Sequence, residues 1–153
     1  MKKILLLTSV FFLSLAVIAQ GNTDGIIKVN TEKYDFGKLK QGVPADYYFI
    51  IKNVTDKAVV VENAWGSCGC TTPEIPKEPI APGATAKLKV QYNSAAMGHF
   101  EKDVYVKMAG IETPKNLKIT GDVLTAEAYE AYIKELPKPN STPAKPVAKA
   151  GKS

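Results

Sequence analysis

In the stretch Thr85-Ala86-Lys87-Leu88-Lys89-Val90-Gln91-Tyr92, apolar and polar residues alternate without exception. Successive side chains of a β-strand point to opposite faces, so Ala86, Leu88, Val90 and Tyr92 share one face and the polar residues share the other. A strand with one apolar and one polar face is typical of an antiparallel sheet that covers a core and is wetted on its outer side. The stretch therefore predicts a half-buried strand of an all-β domain.

The same alternation recurs in residues 103–108 and 115–123. It predicts inward side chains for Val104, Val106, Met108, Leu117, Ile119 and Val123, and outward ones for Lys118, Thr120 and Asp122. The runs 46–54 and 58–65 are more evenly apolar and rich in β-branched and aromatic residues, which favours central strands. Short strands are expected at 26–30 and 34–36. Together these segments predict an antiparallel β-sandwich of about seven strands over residues 25–124.

Both ends of the chain differ from this domain. Lys2 and Lys3 precede an apolar run from Ile4 to Ile18, and small residues follow, so residues 1–19 are predicted to be a signal peptide cleaved near Ala19–Gln20. The run has about 15 residues, fewer than the roughly 20 that span a bilayer. We therefore expect a periplasmic or extracellular protein with no transmembrane span after cleavage; an uncleaved membrane anchor is the alternative.

At the other end, residues 125–136 contain the one helical pattern, and Pro137 would stop it. Residues 137–153 contain four prolines and four lysines but no acidic or aromatic residue, which predicts a disordered tail. Such a tail could contact an anionic lipid or a cell-wall polymer, or simply be solvated.

The charge distribution argues against nucleic-acid binding. The chain has 20 Lys and Arg residues, all of them lysine, against 15 acids. Two of these lysines lie in the signal segment and four in the tail, so residues 20–136 carry 14 lysines against 15 acids and have a net charge of −1. Proteins that bind nucleic acids need a basic face on the folded domain, commonly with arginines.

The chain has two cysteines, Cys68 and Cys70, one residue apart. In an extended strand their Cα atoms would be about 6.6 Å apart, which is too far for good disulfide geometry unless Gly69 allows a bend. Five interpretations stay open: a disulfide, a metal site, a redox pair, a covalent or partner-linking role, or two thiols that pack as small apolar groups near Trp65. A bridge over so short a loop would contribute little stability.

A metal site would use both thiolates together with His99 and Met97. Such a ligand set suits copper, or zinc without the methionine. No other cofactor is expected. The sequence contains no nucleophile elbow, phosphate loop or paired-carboxylate motif, and one histidine is weak support for catalysis, so we expect no enzyme activity. Trp65 is expected in the core, and Tyr47 and Tyr48 are expected to be exposed.

Several motifs along the domain resemble a known family. These are Tyr34-Asp35-Phe36-Gly37, Ser67-Cys68-Gly69-Cys70-Thr71, Glu78-Pro79-Ile80-Ala81-Pro82-Gly83 and Gly98-His99-Phe100. They are similar to bacterial domain-of-unknown-function family 1573 (DUF1573) over residues 28–124. The resemblance implies an exported immunoglobulin-like sandwich with the cysteines in its motif, and it leaves the activity open.

These observations predict a monomeric, exported, non-enzymatic binding or structural module of the bacterial cell envelope, in contact with an envelope protein or polymer. The alternative is a copper, zinc or thiol redox protein that uses Cys68 and Cys70.

Overall fold

Residues 23–136 are described by a computed structural model, which places eight strands in two sheets and one helix after the last strand. A 3₁₀ turn at Thr23–Gly25 precedes the first strand. The strands are β1 (Ile27–Val29), β2 (Lys33–Lys40), β3 (Ala45–Asn53), β4 (Val61–Gly66), β5 (Thr71–Glu74), β6 (Thr85–Tyr92), β7 (Gly98–Met108) and β8 (Lys115–Leu124), and the helix is α1 (Ala126–Glu135). The predicted signal peptide and tail lie outside the described residues.

The strand order is β1-β3-β6-β5 in the first sheet and β2-β8-β7-β4 in the second. The all-β sandwich is confirmed, with eight strands instead of about seven. The expectation that it is antiparallel throughout is wrong at one pair, because β2 runs parallel to β8. Alternation along a strand shows which face is buried, but it does not show the direction of the neighbouring strand.

The core lies between the sheets and is built from the inward faces that the alternation predicts. Leu88, Val90, Val104, Val106 and Ile119 are fully buried. The other buried apolar side chains are Ile27, Phe49, Ile51, Val61, Ile80, Tyr92, Phe100, Met108, Leu117 and Val123. Full burial of one such side chain contributes roughly 1.5–3 kcal/mol, so this cluster is the main source of stability.

Strand β2 and its partner β8 differ from the sequence-based expectation in two places, and both lie beside a bulge in β2. The register between β2 and β8 shifts between Asp35 and Lys38, next to Gly37, whose φ is +66°. The bulge lets β2 continue to Lys40, well beyond the short strand expected at 34–36. Thr120, expected to be outward and wet, pairs with Asp35 beside the bulge and is only 4% exposed.

Helix α1 lies against the ends of β2 and β8. The Thr125 hydroxyl accepts a hydrogen bond from the backbone N–H of Ala128 at 3.2 Å, which caps the first turn. Lys40 Nζ lies 2.8 Å from Glu130 Oε1, and no residue of the helix is buried. No helix within residues 23–136 has both the length and the apolar character required to cross a membrane.

Candidate functional site

Cys68 and Cys70 are joined by a disulfide in the loop between β4 and β5. Their Cα atoms are 5.3 Å apart, closer than an extended strand allows. The loop is bent because the backbone N–H of Thr71 donates to the carbonyl oxygen of Cys68 at 3.2 Å. This bend brings the two cysteines close enough for a disulfide, which is expected only if the chain can bend at Gly69.

The cysteine loop is where the chain crosses from one sheet to the other. The backbone N–H of Ser67 donates to the Asp103 carbonyl at 2.9 Å, and Ser67 Oγ accepts from the N–H of Asp103 at 3.1 Å. At the other end of the loop, the carbonyl of Cys70 accepts from the N–H of Asn93 at 3.0 Å. These bonds hold the loop against both β7 and the end of β6.

The two sulfurs have different surroundings. Both cysteines are half-buried, but Cys70 packs against the hydrophobic core and Cys68 does not belong to that cluster. The hydroxyl of Thr71 lies 3.8 Å from Cys68 Sγ and 3.9 Å from Cys70 Sγ, and Thr71 is only 4% exposed. A buried hydroxyl can therefore donate to either sulfur.

Replacing both Cys68 and Cys70 with serine should leave the fold intact. The bridge closes a ring of three residues, for which chain entropy gives about 1.6 kcal/mol of stabilisation. The melting temperature, followed by circular dichroism, should therefore fall by less than about 10 °C. A much larger drop, or loss of the β-sheet spectrum, would show that the fold depends on the disulfide for its stability.

His99 and Met97, the other two residues of the predicted metal site, lie at the start of β7. Nδ1 of His99 is 3.1 Å from Oδ1 of Asp122, directly across the β7–β8 pair, and Met97 is 59% exposed. In residues 23–136, no group of three or more His, Cys, Asp and Glu side chains is arranged to hold a metal ion. The structure thus brings the two cysteines together, but it gives His99 a carboxylate partner instead. Binding of copper or zinc by reduced Cys68 and Cys70 stays a prediction.

Asp122 links His99 to a lysine on the neighbouring strand. Its carboxylate lies 3.0 Å from Lys38 Nζ, and the hydrogen bonds from Lys38 and then from His99 lower the pKa of Asp122 below its ordinary 3.8. A lowered pKa means that the folded state binds fewer protons than the unfolded state. The Asp122 pairs therefore stabilise the fold above about pH 3.8, and this contribution is lost as the pH falls through the lower folded-state pKa.

Asp122→Asn should therefore lower stability slightly at neutral pH. The effect is small because the carboxylate is exposed and screened by water. Urea unfolding at neutral and at acidic pH should show the variant and the wild type converging below the ordinary pKa of 3.8. A difference that stays constant through the acid range would contradict this assignment.

Trp65 is the functional candidate that sequence reasoning placed wrongly. Instead of lying in the core, it is 40% exposed on β4 and its ring stacks on Tyr105, with 5.6 Å between ring centroids. The register of β4 against β7 shifts between Val61 and Asn63, so a strand that starts with Val61 inward continues with Ala64 inward and Trp65 outward. Such a one-residue shift reverses the face of every later side chain.

The two tyrosines expected on the surface are not equivalent. Tyr48 is 48% exposed, but Tyr47 stacks on Tyr34 with 3.5 Å between ring centroids and packs against the core. The prediction of exposure is thus confirmed for Tyr48 and wrong for Tyr47, because Tyr47 lies on the inward face of β3 with Phe49.

Comparison with solved structures supports the fold. The chain is similar to a protein of unknown function from Porphyromonas gingivalis W83, with 15% identity and a TM-score of 0.56 over 64% of this chain and 46% of that one. It is also similar to a PapD-like domain of human CEP192, with 9% identity and a TM-score of 0.53 over 78% of this chain and 98% of that domain. The secreted serine protease VesC from Vibrio cholerae shares 13% identity and a TM-score of 0.52 over 75% of this chain and 27% of the protease.

The chain spans less than half of the Porphyromonas structure, and identities this low show a shared sandwich fold alone. No curated protein matches the chain. At the level of sequence families, a protein family of unknown function, DUF1573, matches residues 27–123. This range holds both sheets and the cysteine loop, and the chain belongs to that family.

Proposed function

We propose that the protein is an exported, non-enzymatic binding module of the bacterial cell envelope, and that its partner docks on the outer side of β4. The observation that carries this proposal is the exposed Trp65, stacked on Tyr105 beside a sheet edge. Support for export comes from the signal-like residues 1–19. The Lys- and Pro-rich segment 137–153 would serve as a tether.

The edge of β4 can take another strand. In the sheet order β2-β8-β7-β4, β4 is the last strand and pairs with β7 on one side. A sheet edge presents backbone N–H and carbonyl groups that an extended peptide can pair with. The loop that follows β4 leads into β5, which is an edge strand of the other sheet, so both edges on this side of the sandwich adjoin the cysteine loop.

Trp65 and Tyr105 form an aromatic pair beside this edge, to which a partner could bind. Large aromatic side chains dominate the energetics of protein interfaces, and tryptophan is the most enriched at hot spots. The nearby charges are mixed: Lys107 Nζ lies 3.8 Å from a carboxylate oxygen of Glu62. A surface with an aromatic centre and both charge signs fits an extended segment of an envelope protein better than a strongly charged ligand.

The test is capture of envelope components by the immobilised mature protein, with Trp65→Ala compared against Tyr48→Ala. Tyr48 is the matched control, because it is a similarly exposed aromatic on β3 of the other sheet. Loss of an interface hot spot reduces affinity by about 2 kcal/mol or more, roughly thirtyfold. We expect Trp65→Ala to lose a protein that the wild type and Tyr48→Ala retain.

Three outcomes would contradict the proposal. In one, Trp65→Ala captures the same protein as strongly as the wild type. In another, the two variants lose it equally. In the third, binding to purified cell wall depends on Trp65 and no protein is captured, which would replace the protein partner with a polymer.

A further inference from the structure

We propose that the Cys68–Cys70 disulfide is a thiol–disulfide exchange centre that accepts two electrons from a dithiol of a partner protein. This exchange is stoichiometric, one bridge for each partner dithiol, so it agrees with a non-enzymatic module, and it is separate from the docking surface on β4. It rests on three features of the cysteine loop: the position of the bridge, the different packing of its two cysteines, and the hydroxyl of Thr71.

The bridge does not hold together separate elements of the fold. Its two cysteines belong to one loop and are separated by a single residue, so it joins neither two strands nor the two sheets. The loop is already held by backbone hydrogen bonds to Asp103 and Asn93. Chain entropy gives a bridge over so short a span little stabilisation. Opening it should therefore leave the sandwich folded.

The two cysteines pack differently. Both are half-buried, but Cys70 packs against the core and Cys68 does not, so Cys68 is the outer of the two. Between them, Gly69 is exposed, and a Cβ built on it would meet no atom within 4 Å, so the outer side of the ring is open. An incoming thiolate therefore reaches Cys68 Sγ more readily than Cys70 Sγ, which makes Cys70 the leaving group.

The Thr71 hydroxyl lies where it can stabilise the Cys70 thiolate as that thiolate leaves. Its hydroxyl is buried, and in the described chain its hydrogen-bond partners are the two sulfurs, at 3.8 and 3.9 Å. A hydroxyl that donates to a thiolate stabilises the charged form and lowers the pKa of that thiol. Disulfides open faster when the departing thiol has a lower pKa.

The exchange is balanced in two steps. A thiolate of the partner attacks Cys68 Sγ, so that a mixed disulfide forms, the Cys68–Cys70 bond breaks, and Cys70 leaves as a thiolate that accepts the Thr71 hydrogen bond. The partner's second thiolate then attacks the partner sulfur of the mixed disulfide and releases Cys68 as a thiolate. The partner dithiol has become a disulfide, and two electrons have passed to Cys68 and Cys70. The two protons that the partner thiols released to water on ionising are balanced by those that the Cys68 and Cys70 thiolates take up from water.

In the first test, the full mature chain is equilibrated with mixtures of reduced and oxidised glutathione. Free thiols are then trapped by alkylation, and the mass of the protein is measured by mass spectrometry. We expect the open fraction to follow the glutathione ratio while circular dichroism shows an unchanged fold. A bridge that stays closed in every mixture would overturn the proposal, because structural disulfides resist the glutathione pool. Opening that unfolds the domain would also overturn it.

The second test isolates Thr71. Thr71→Val removes the hydroxyl at nearly constant volume, and Thr71→Ser keeps it. The opening rate in dithiothreitol should fall about tenfold in Thr71→Val, as expected for loss of a hydrogen bond to a charged group, and should stay near the wild-type rate in Thr71→Ser. Equal rates in all three proteins, at similar melting temperatures, would refute the role of Thr71.

The third test separates the two sulfurs. Cys70→Ser leaves the outer thiol, and Cys68→Ser leaves the inner one. With oxidised glutathione as the probe, Cys70→Ser should form the mixed disulfide several-fold faster. The reverse order would contradict the assignment of Cys68 as the attacked sulfur.

Discussion

Gly66→Ala should lower the free energy of unfolding by about 3 kcal/mol, the upper range for inserting an extra carbon into a packed position. A Cβ on Gly66 would lie 2.6 Å from the carbonyl oxygen of Thr71 and 2.7 Å from its Cβ. Moving either atom would disturb the sheet, because Thr71 is the first residue of β5 and its backbone is fixed by pairing with Tyr92. The melting temperature should fall by more than about 10 °C.

Gly69→Ala is the matched control for this prediction. It lies in the same loop, and a Cβ there would meet no atom within 4 Å. We expect its stability to stay within about 0.5 kcal/mol of the wild type, as for substitutions at open surface positions. If Gly66→Ala melts like Gly69→Ala, then β4 and β5 do not approach each other as closely as described.

Asn53→Asp should also be strongly destabilising, by about 3 kcal/mol or more, although the two side chains have nearly the same shape. Asn53 is fully buried at the end of β3. Its Nδ2 donates to the carbonyls of Lys57 at 2.7 Å and Ile80 at 2.8 Å. Its Oδ1 accepts from the N–H and the hydroxyl of Thr55, both at 2.8 Å. Aspartate would replace the donor with an oxygen that faces two carbonyl oxygens.

Urea unfolding measures this effect, and Asn63→Asp is its control. Asn63 is exposed on β4, and its Oδ1 accepts from the N–H of Ala64 at 2.8 Å, a bond that a carboxylate keeps. The destabilisation of Asn53→Asp should shrink in acid, because a protonated carboxyl carries no charge and can donate once. Equal stability of the two variants at neutral pH would contradict the hydrogen-bond network around Asn53.

Strict alternation made several strands predictable from the sequence. Strand β6 has the predicted bounds, and β8 differs by one residue, because apolar residues recur at alternate positions along each. Prediction failed where a bulge changes the phase. The shift after Val61 turned Trp65 outward, and the bulge at Gly37 lies where β2 continues beyond the predicted strand. A bulge depends on pairing with a distant strand, so the local pattern does not reveal it.

The candidate site was predictable in part. The spacing of Cys68 and Cys70 identified the loop, but closure of the bridge depends on the bend from Cys68 to Thr71 and on contacts with Asp103 and Asn93. The spacing of His99 gave no information about its partner, because Asp122 reaches it through the β7–β8 register. Contacts between residues far apart in sequence are set by topology, which the motifs do not contain.

Docking of the envelope partner on the Trp65 side of β4 can be measured directly in living cells. A photo-crosslinking amino acid is placed at position 65 of the full chain, with position 48 as the comparison. We expect one discrete protein adduct from position 65 and none from position 48. Adducts from position 48 alone, or from neither position, would contradict it.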